Sequence, residues 1–261
     1  MAAPLTRLLL MAASEEVSVR VGDHNAGRLS PVMSRMLTGG GDWVFMASLV
    51  ATVVYGTYFF RARPSRLRTA FKVLPVGLLE LACILSGAPL PLHVGLVFSA
   101  LGDGFLAGDS PRRLRLGLGC FLVTHLAYIV LFVLSPISQD GRAHGWTGEA
   151  PPMSNIAAMV VVALVATAML GWLWPKLGTL RAAVSTYVLA IVTMVAASLT
   201  MPWGYESVVV GALLFFGSDA ILAAQLFRGK LNNWLGGALV WWLYYAAQIA
   251  ILHAFAGIIT F

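Results

Sequence analysis

GLVFSALGDGFLAGD, residues Gly95–Asp109, lies in a run apolar enough to cross a bilayer, yet Asp103 sits in the middle of that run. An ionised carboxylate in hydrocarbon costs about 3 kcal/mol on insertion scales and more in simulation, so a chain keeps one only where it has a partner, a cavity or a task. A second run, GALLFFGSDAILAA from Gly211, carries Asp219. In both runs a Gly stands eight residues before the Asp, a Leu three after it and an Ala four after it. The question is what two intramembrane aspartates do together.

The composition around these runs sets the class. The chain has 261 residues, 59% hydrophobic and 11% charged, with mean hydropathy +0.83. Soluble domains carry about 25% charged residues, so this is an integral, multi-pass, all-α membrane protein. A span takes about 20 apolar residues, which leaves room for about eight. The apolar runs fall near 43–60, 70–86, 90–107, 115–135, 155–174, 182–200, 205–226 and 234–260. They predict an eight-span helix bundle over residues 42–261, preceded by a polar, mobile tail at 1–41 in which translation from Met33 or Met36 would leave out the first part.

The net charge of +6 does not indicate nucleic-acid binding. The connections after spans one, three, five and seven carry Arg61, Arg63, Arg66, Arg68, Arg112, Arg113, Arg115, Lys176, Arg181, Arg228 and Lys230, whereas the opposite connections carry only Arg142. This one-sided pattern puts the odd-to-even loops in the cytoplasm. The tail's Arg7, Arg20, Arg28 and Arg35 run against it. Cys83 and Cys120 both fall within spans and read as packing residues.

Four spans separate the two Gly-x7-Asp runs, so they point the same way. The match reads as a tandem four-plus-four arrangement with both aspartates at one depth, in the cytoplasmic half of the membrane. Lys72, His125, Tyr128, Tyr187, Tyr244 and Gln248 fall in the same half, with Ser99 and Ser218 beside the aspartates. His125 and Tyr128 share a helix face, as do Tyr244 and Gln248. Glu80, His93 and His253 fall toward the other helix ends and stay outside the candidate site. Each residue alone reads as a snorkelling lysine, a packed histidine, an interfacial tyrosine or interhelical glue. Together they have the composition of a polar cavity within a bundle.

Two carboxyl groups held close cannot both ionise cheaply, so such a pair can work as acid and base. The chain has no GxSxG elbow and no HExxH, which leaves serine and zinc hydrolases without their motifs. A metal on Asp103, Asp219 and His125 has no support from spacing, and no cofactor is expected. Intramembrane aspartyl proteases use Gly-x-Gly-Asp in one span, whereas Ala100-Leu101-Gly102-Asp103 lacks the first Gly.

FKVLP from Phe71, GLVFSALGDGFL from Gly95, FLVTHLAYIVLF from Phe121, TYVLAIVTM from Thr186, GALLFFGSDAILA from Gly211 and YYAAQIAI from Tyr244 resemble, in order, the YhhN-like membrane family that includes the vertebrate lysoplasmalogenases. The resemblance covers spans two to eight. It implies an eight-span fold and hydrolysis of the vinyl ether bond of lysoplasmalogens, giving a fatty aldehyde and a glycerophospho-ethanolamine or -choline. It further implies Asp103 and Asp219 as the catalytic pair, with Lys72, His125, Tyr187, Tyr244 and Gln248 binding or orienting the substrate. The implied partners are a lysophospholipid and the bilayer, in the plasma membrane of a bacterium or the endoplasmic reticulum of a eukaryote. Two other classes compete: a proton-coupled transporter or lipid carrier using the same Asp and His residues, and a structural membrane protein whose polar residues are glue.

Overall fold

Leu-, Val- and Ala-rich runs of this length close every backbone hydrogen bond within a helix, the requirement that hydrocarbon imposes. The computed structural model describes residues 31–134, 153–201 and 204–256, with side-chain surroundings from Gly41 onward. Among the described residues eight α-helices follow one another: α1 (Pro31–Val54), α2 (Arg66–Ser86), α3 (Leu90–Leu106), α4 (Pro111–Leu134), α5 (Met153–Leu177), α6 (Arg181–Leu199), α7 (Glu206–Arg228) and α8 (Trp234–Ala256). No strand occurs among them. A π-helical turn, Tyr55–Phe59, continues α1, and a 3-10 turn, Gly178–Leu180, joins α5 to α6.

Among the described residues six stretches are long and apolar enough to cross a membrane. One of them, Met153–Leu199, is 47 residues long. It folds back on itself at the 3-10 turn, where Gly178 takes φ +51°, so that α5 packs on α6. Helix α3, at 17 residues, is shorter and apolar. At 1.5 Å per residue it spans about 26 Å, just under the hydrocarbon thickness.

The ends are set locally. Ser65 Oγ accepts from Arg68 N at 3.1 Å and caps α2, which stops at Gly87 in the left-handed region, φ +68°. Ser110 Oγ caps α4 through Arg113 N at 3.2 Å, and Asn233 Oδ1 caps α8 through Gly236 N at 2.9 Å. Such caps satisfy amides that the helix itself leaves open.

Between membrane helices close packing, rather than water exclusion, supplies the attraction, and small residues permit it. The most extensive contacts join α3 to α4 and α7 to α8. A Cβ on Gly95 would lie 2.2 Å from the Tyr128 ring, and one on Gly211 would lie 2.8 Å from Ile251 Cγ1 and 3.0 Å from the Ala247 carbonyl oxygen. The Gly of each Gly-x7-Asp run is therefore the close-approach point of its own hairpin.

The interior is in two parts. The main core gathers Leu79, Leu96, Tyr128, Phe215, Trp241 and Ile251. A separate cluster of Leu173, Leu177 and Val184, with Met169, Val188, Ala223 and Phe227 against it, fills the ends of α5, α6 and α7. At that end the Arg228 guanidinium lies 4.8 Å over Trp172 and that of Arg181 5.1 Å over Trp174, a pairing suited to an interfacial belt.

Two sequence expectations fall partly elsewhere. Residues 1–30 of the expected tail and most of the long connection, 135–152, lie outside the described residues. Helix α1 begins at Pro31, upstream of the first apolar run.

Candidate active site

Asp103 and Asp219 line one cavity of ≈ 500 Å³. Its walls come from the π turn after α1 (Tyr55), from α2 (Arg68, Lys72), from α4 (Phe121) and from α8 (Trp241, Tyr244). Its mouth carries Arg61 from the α1–α2 connection and Asn232 and Asn233 from the α7–α8 connection, so both connections lie at one end of the bundle.

Each aspartate has two partners from two helices. The Tyr244 hydroxyl donates to Asp103 Oδ2 at 2.8 Å, and Lys72 Nζ lies 3.5 Å from Asp103 Oδ1. Asp103 is 2% exposed, so the ammonium and the phenol replace water around its carboxylate. The Tyr187 hydroxyl donates to Asp219 Oδ2 at 2.6 Å, and His125 Nε2 stands 3.5 Å from the same oxygen. His125 Nδ1 is bonded to the Phe121 carbonyl, which only accepts, so Nδ1 carries a proton. In the neutral ring this leaves the lone pair on Nε2, which is buried and has no hydrogen-bond partner.

The two acids have similar surroundings. Asp103 on α3 is held from α2 and α8; Asp219 on α7 is held from α6 and approached by His125 of α4. Each acid thus has one neighbour on the helix before it and one on α4 or α8. Tyr128 and Tyr244 are separated by the same interval as Asp103 and Asp219 and as Gly95 and Gly211. Tyr128, however, turns away from the acids and donates to Gln248 Oε1.

Of the seven residues expected in the site, Lys72, Asp103, Asp219 and Tyr244 line the cavity. His125 and Tyr187 reach Asp219 from behind the cavity wall. Gln248 is fully buried in a separate network, where its Nε2 donates to Ser99 Oγ at 2.9 Å and Ser99 meets Thr124 Oγ1 at 3.2 Å. That network holds α3, α4 and α8 together beside the Tyr244–Asp103 bond. Ser218 donates to the Val240 carbonyl at 2.9 Å. Glu80 and His93 pair with each other at 2.9 Å, apart from the cavity.

Sequence reasoning missed Tyr55, Arg68, Phe121 and Trp241. Arg68 is the most informative. Its Nη1 donates to the Ala107 carbonyl at 3.2 Å and its Nε to the Phe59 carbonyl at 3.3 Å, which fixes a guanidinium at the cavity wall. Its place on the face of Lys72, four residues earlier on α2, was the available signal. Among the described residues no three His, Cys, Asp or Glu side chains converge.

Residues 67–255 match the YhhN family. The chain belongs to that family. A Mycobacterium bovis relative, named lysoplasmalogenase, is 30% identical over 86% of this chain and 87% of its own. A Bos taurus relative, lysoplasmalogenase TMEM86A, is 27% identical over 77% of this chain and 83% of its own. No solved structure matches. The YhhN match takes in both aspartates and all their partners, and it starts after Tyr55, Phe60 and Arg61. The wall of the cavity built by α1 and its π turn thus lies outside the part matched to the family.

Proposed function

We propose that this chain is a lysoplasmalogenase that cleaves the vinyl ether bond of single-chain ether phospholipids. The observation that carries the reading is that Asp103 and Asp219 line one cavity together with Arg61, Arg68 and Lys72. The names of the relatives supply the substrate class, and the chemistry fits the residues. Protonation of the β-carbon of a vinyl ether leaves an oxocarbenium ion. Water adds to that ion, and the hemiacetal collapses to aldehyde and alcohol. One carboxylic acid supplies the proton, while a carboxylate stabilises the cation and takes a proton from water. Collapse returns both protons: one goes to the alcohol oxygen, and one leaves the hemiacetal hydroxyl for the first acid.

Lys72, Arg68 and Arg61 would hold the phosphate as charge-assisted donors. In this reading the eight helices are eight spans, the cavity opens to the cytoplasmic headgroup layer, and residues 1–41 are outside the catalytic unit. The mirrored partners of the two acids support a tandem four-plus-four origin. The membrane is the plasma membrane in a bacterial host or the endoplasmic reticulum in a eukaryotic one.

Purified protein incubated with alkenyl-glycerophosphoethanolamine should release fatty aldehyde. Asp103→Asn and Asp219→Asn should each lower the rate at least ~100-fold, the usual scale for loss of a general acid or base. Wild type that yields no aldehyde across a broad pH range overturns the reading. Proton-gradient-dependent uptake into vesicles without hydrolysis favours a transporter instead.

A further inference from the structure

Asp219 belongs to two spaces. On one side is the polar cavity with Asp103 and Lys72. On the other is a narrow apolar crevice between α5, α6 and α7, lined by Leu173, Val188, Phe216 and Ala223 together with Tyr187 and Asp219. The crevice is the gap between the two hydrophobic clusters. Phe216 packs on the main core, and Leu173, Val188 and Ala223 belong to the smaller cluster. Leu222 lines both spaces as well, so they adjoin along α7. The crevice gives ≈ 70 Å³ to water-sized atoms, about five positions at 10–15 Å³ each.

Building on the hydrolase reading, we propose that this crevice is the subsite for the first few carbons of the lipid chain, and that Asp219 is therefore the proton donor. A charged headgroup has no place among these apolar side chains, whereas the larger cavity offers it Lys72, Arg68 and Arg61. The substrate then straddles Asp219 with its phosphate toward α2 and its chain toward α5. A vinyl ether is oriented along that line: C1 carries the oxygen on the headgroup side, and C2 leads into the chain. The carbon to be protonated is C2. The Asp219 O–H bond breaks as C2–H forms, and the C1 cation develops toward Asp103, where the Lys72 ammonium holds a carboxylate. Water adds to C1 and gives its proton to Asp103. Room for about five atoms means that the chain beyond them lies in the bilayer, so the far end of the chain goes unread.

The test uses a lysophospholipid with a saturated ether chain, which cannot be hydrolysed, bearing a diazirine on the chain's fourth carbon. After irradiation with the full-length protein, the labelled peptides should come from α5, α6 and α7. Ala223→Phe fills the crevice and should cut that labelling about tenfold, the effect of two methylenes losing their place. The same lipid with its diazirine at the chain terminus should label lipid-facing positions equally in both proteins. Leu173→Ala, which widens the crevice, should raise hydrolysis of a vinyl ether branched at the fourth carbon relative to the straight chain. Fourth-carbon labelling in α1, α2 or α8 overturns the proposal, as does unchanged labelling in an Ala223→Phe protein that unfolds at the wild-type temperature. Because the probe is not cleaved, a wild type that releases no aldehyde sinks the hydrolase reading without deciding where the chain binds.

Discussion

The Tyr244 hydroxyl donates to Asp103 Oδ2 across 2.8 Å, joining α8 to α3, two helices with little other direct packing. This bond fixes the acid against the cavity while leaving Oδ1 to Lys72. Tyr244→Phe keeps the ring among Phe121, Phe215 and Trp241 and removes only the donor. A hydrogen bond to a charged group is worth about 1.5–3 kcal/mol, so kcat should fall ~10–100-fold with KM little changed. Steady-state aldehyde release measures the split, and a change confined to KM contradicts the positioning role.

Lys72 has two duties, pairing with Asp103 at 3.5 Å and lining the cavity toward the mouth. Lys72→Met leaves a buried carboxylate without its cation. Breaking a fully buried pair costs about 3–5 kcal/mol; the 16% exposure of Lys72 lowers this to about 1–3 kcal/mol. Thermal unfolding in detergent should show a lower midpoint, and adding Asp103→Asn should restore most of it. A double variant no more stable than the single one argues against the pair.

Gly95 and Gly104 lie on the same helix and make a controlled comparison. A methyl at Gly95 meets the Tyr128 ring at 2.2 Å, whereas one at Gly104 meets only Val73 Cγ2 at 3.5 Å. Gly95→Ala should destabilise by about 1–3 kcal/mol, the range for overpacking. Gly104→Ala should be neutral or mildly stabilising, because alanine favours a helix by about 1 kcal/mol over glycine. Equal unfolding midpoints for the two would contradict the packing described for α3 on α4.

Arg68 is held by two backbone carbonyls and supplies charge at the cavity wall. Arg68→Gln should raise KM for a phosphate-bearing substrate about tenfold, with kcat within about twofold. That is the pattern of a contact made equally in ground and transition states. A neutral alkenyl glycerol, lacking phosphate, should be processed alike by both proteins.

The helices were readable because hydrocarbon demands long apolar runs; seven of the eight runs match an α-helix to within several residues at their ends, while α1 starts twelve residues before its run and passes into the π turn. The two aspartates were readable for the same reason, since a carboxylate stands out in such a run. What faces the cavity was not. Helix α8 is apolar nearly all round, so periodicity does not reveal that Trp241 and Tyr244 look inward while Gln248 joins a separate network. Tyr55 reaches the cavity from a π turn, a local widening with no propensity signal. Tyr128 shows a limit of reading by interval: it stands as far before Tyr244 as Asp103 does before Asp219, yet its hydroxyl serves Gln248.

Helix α5 packs mainly on α6 and α7, along one edge of the bundle, and the apolar crevice lies against it, apart from Lys72 and Arg68. The two products would therefore leave by opposite routes. On the proposed reaction, the water-loving glycerophospho-base would return past the arginines to the aqueous layer, and the aldehyde would slide sideways into the bilayer. An aldehyde delivered in this way stays among acyl chains, apart from the lysines and nucleotides of the cytosol with which it would otherwise condense. The division of the core into two clusters would then keep a reactive product in the phase where it does least harm.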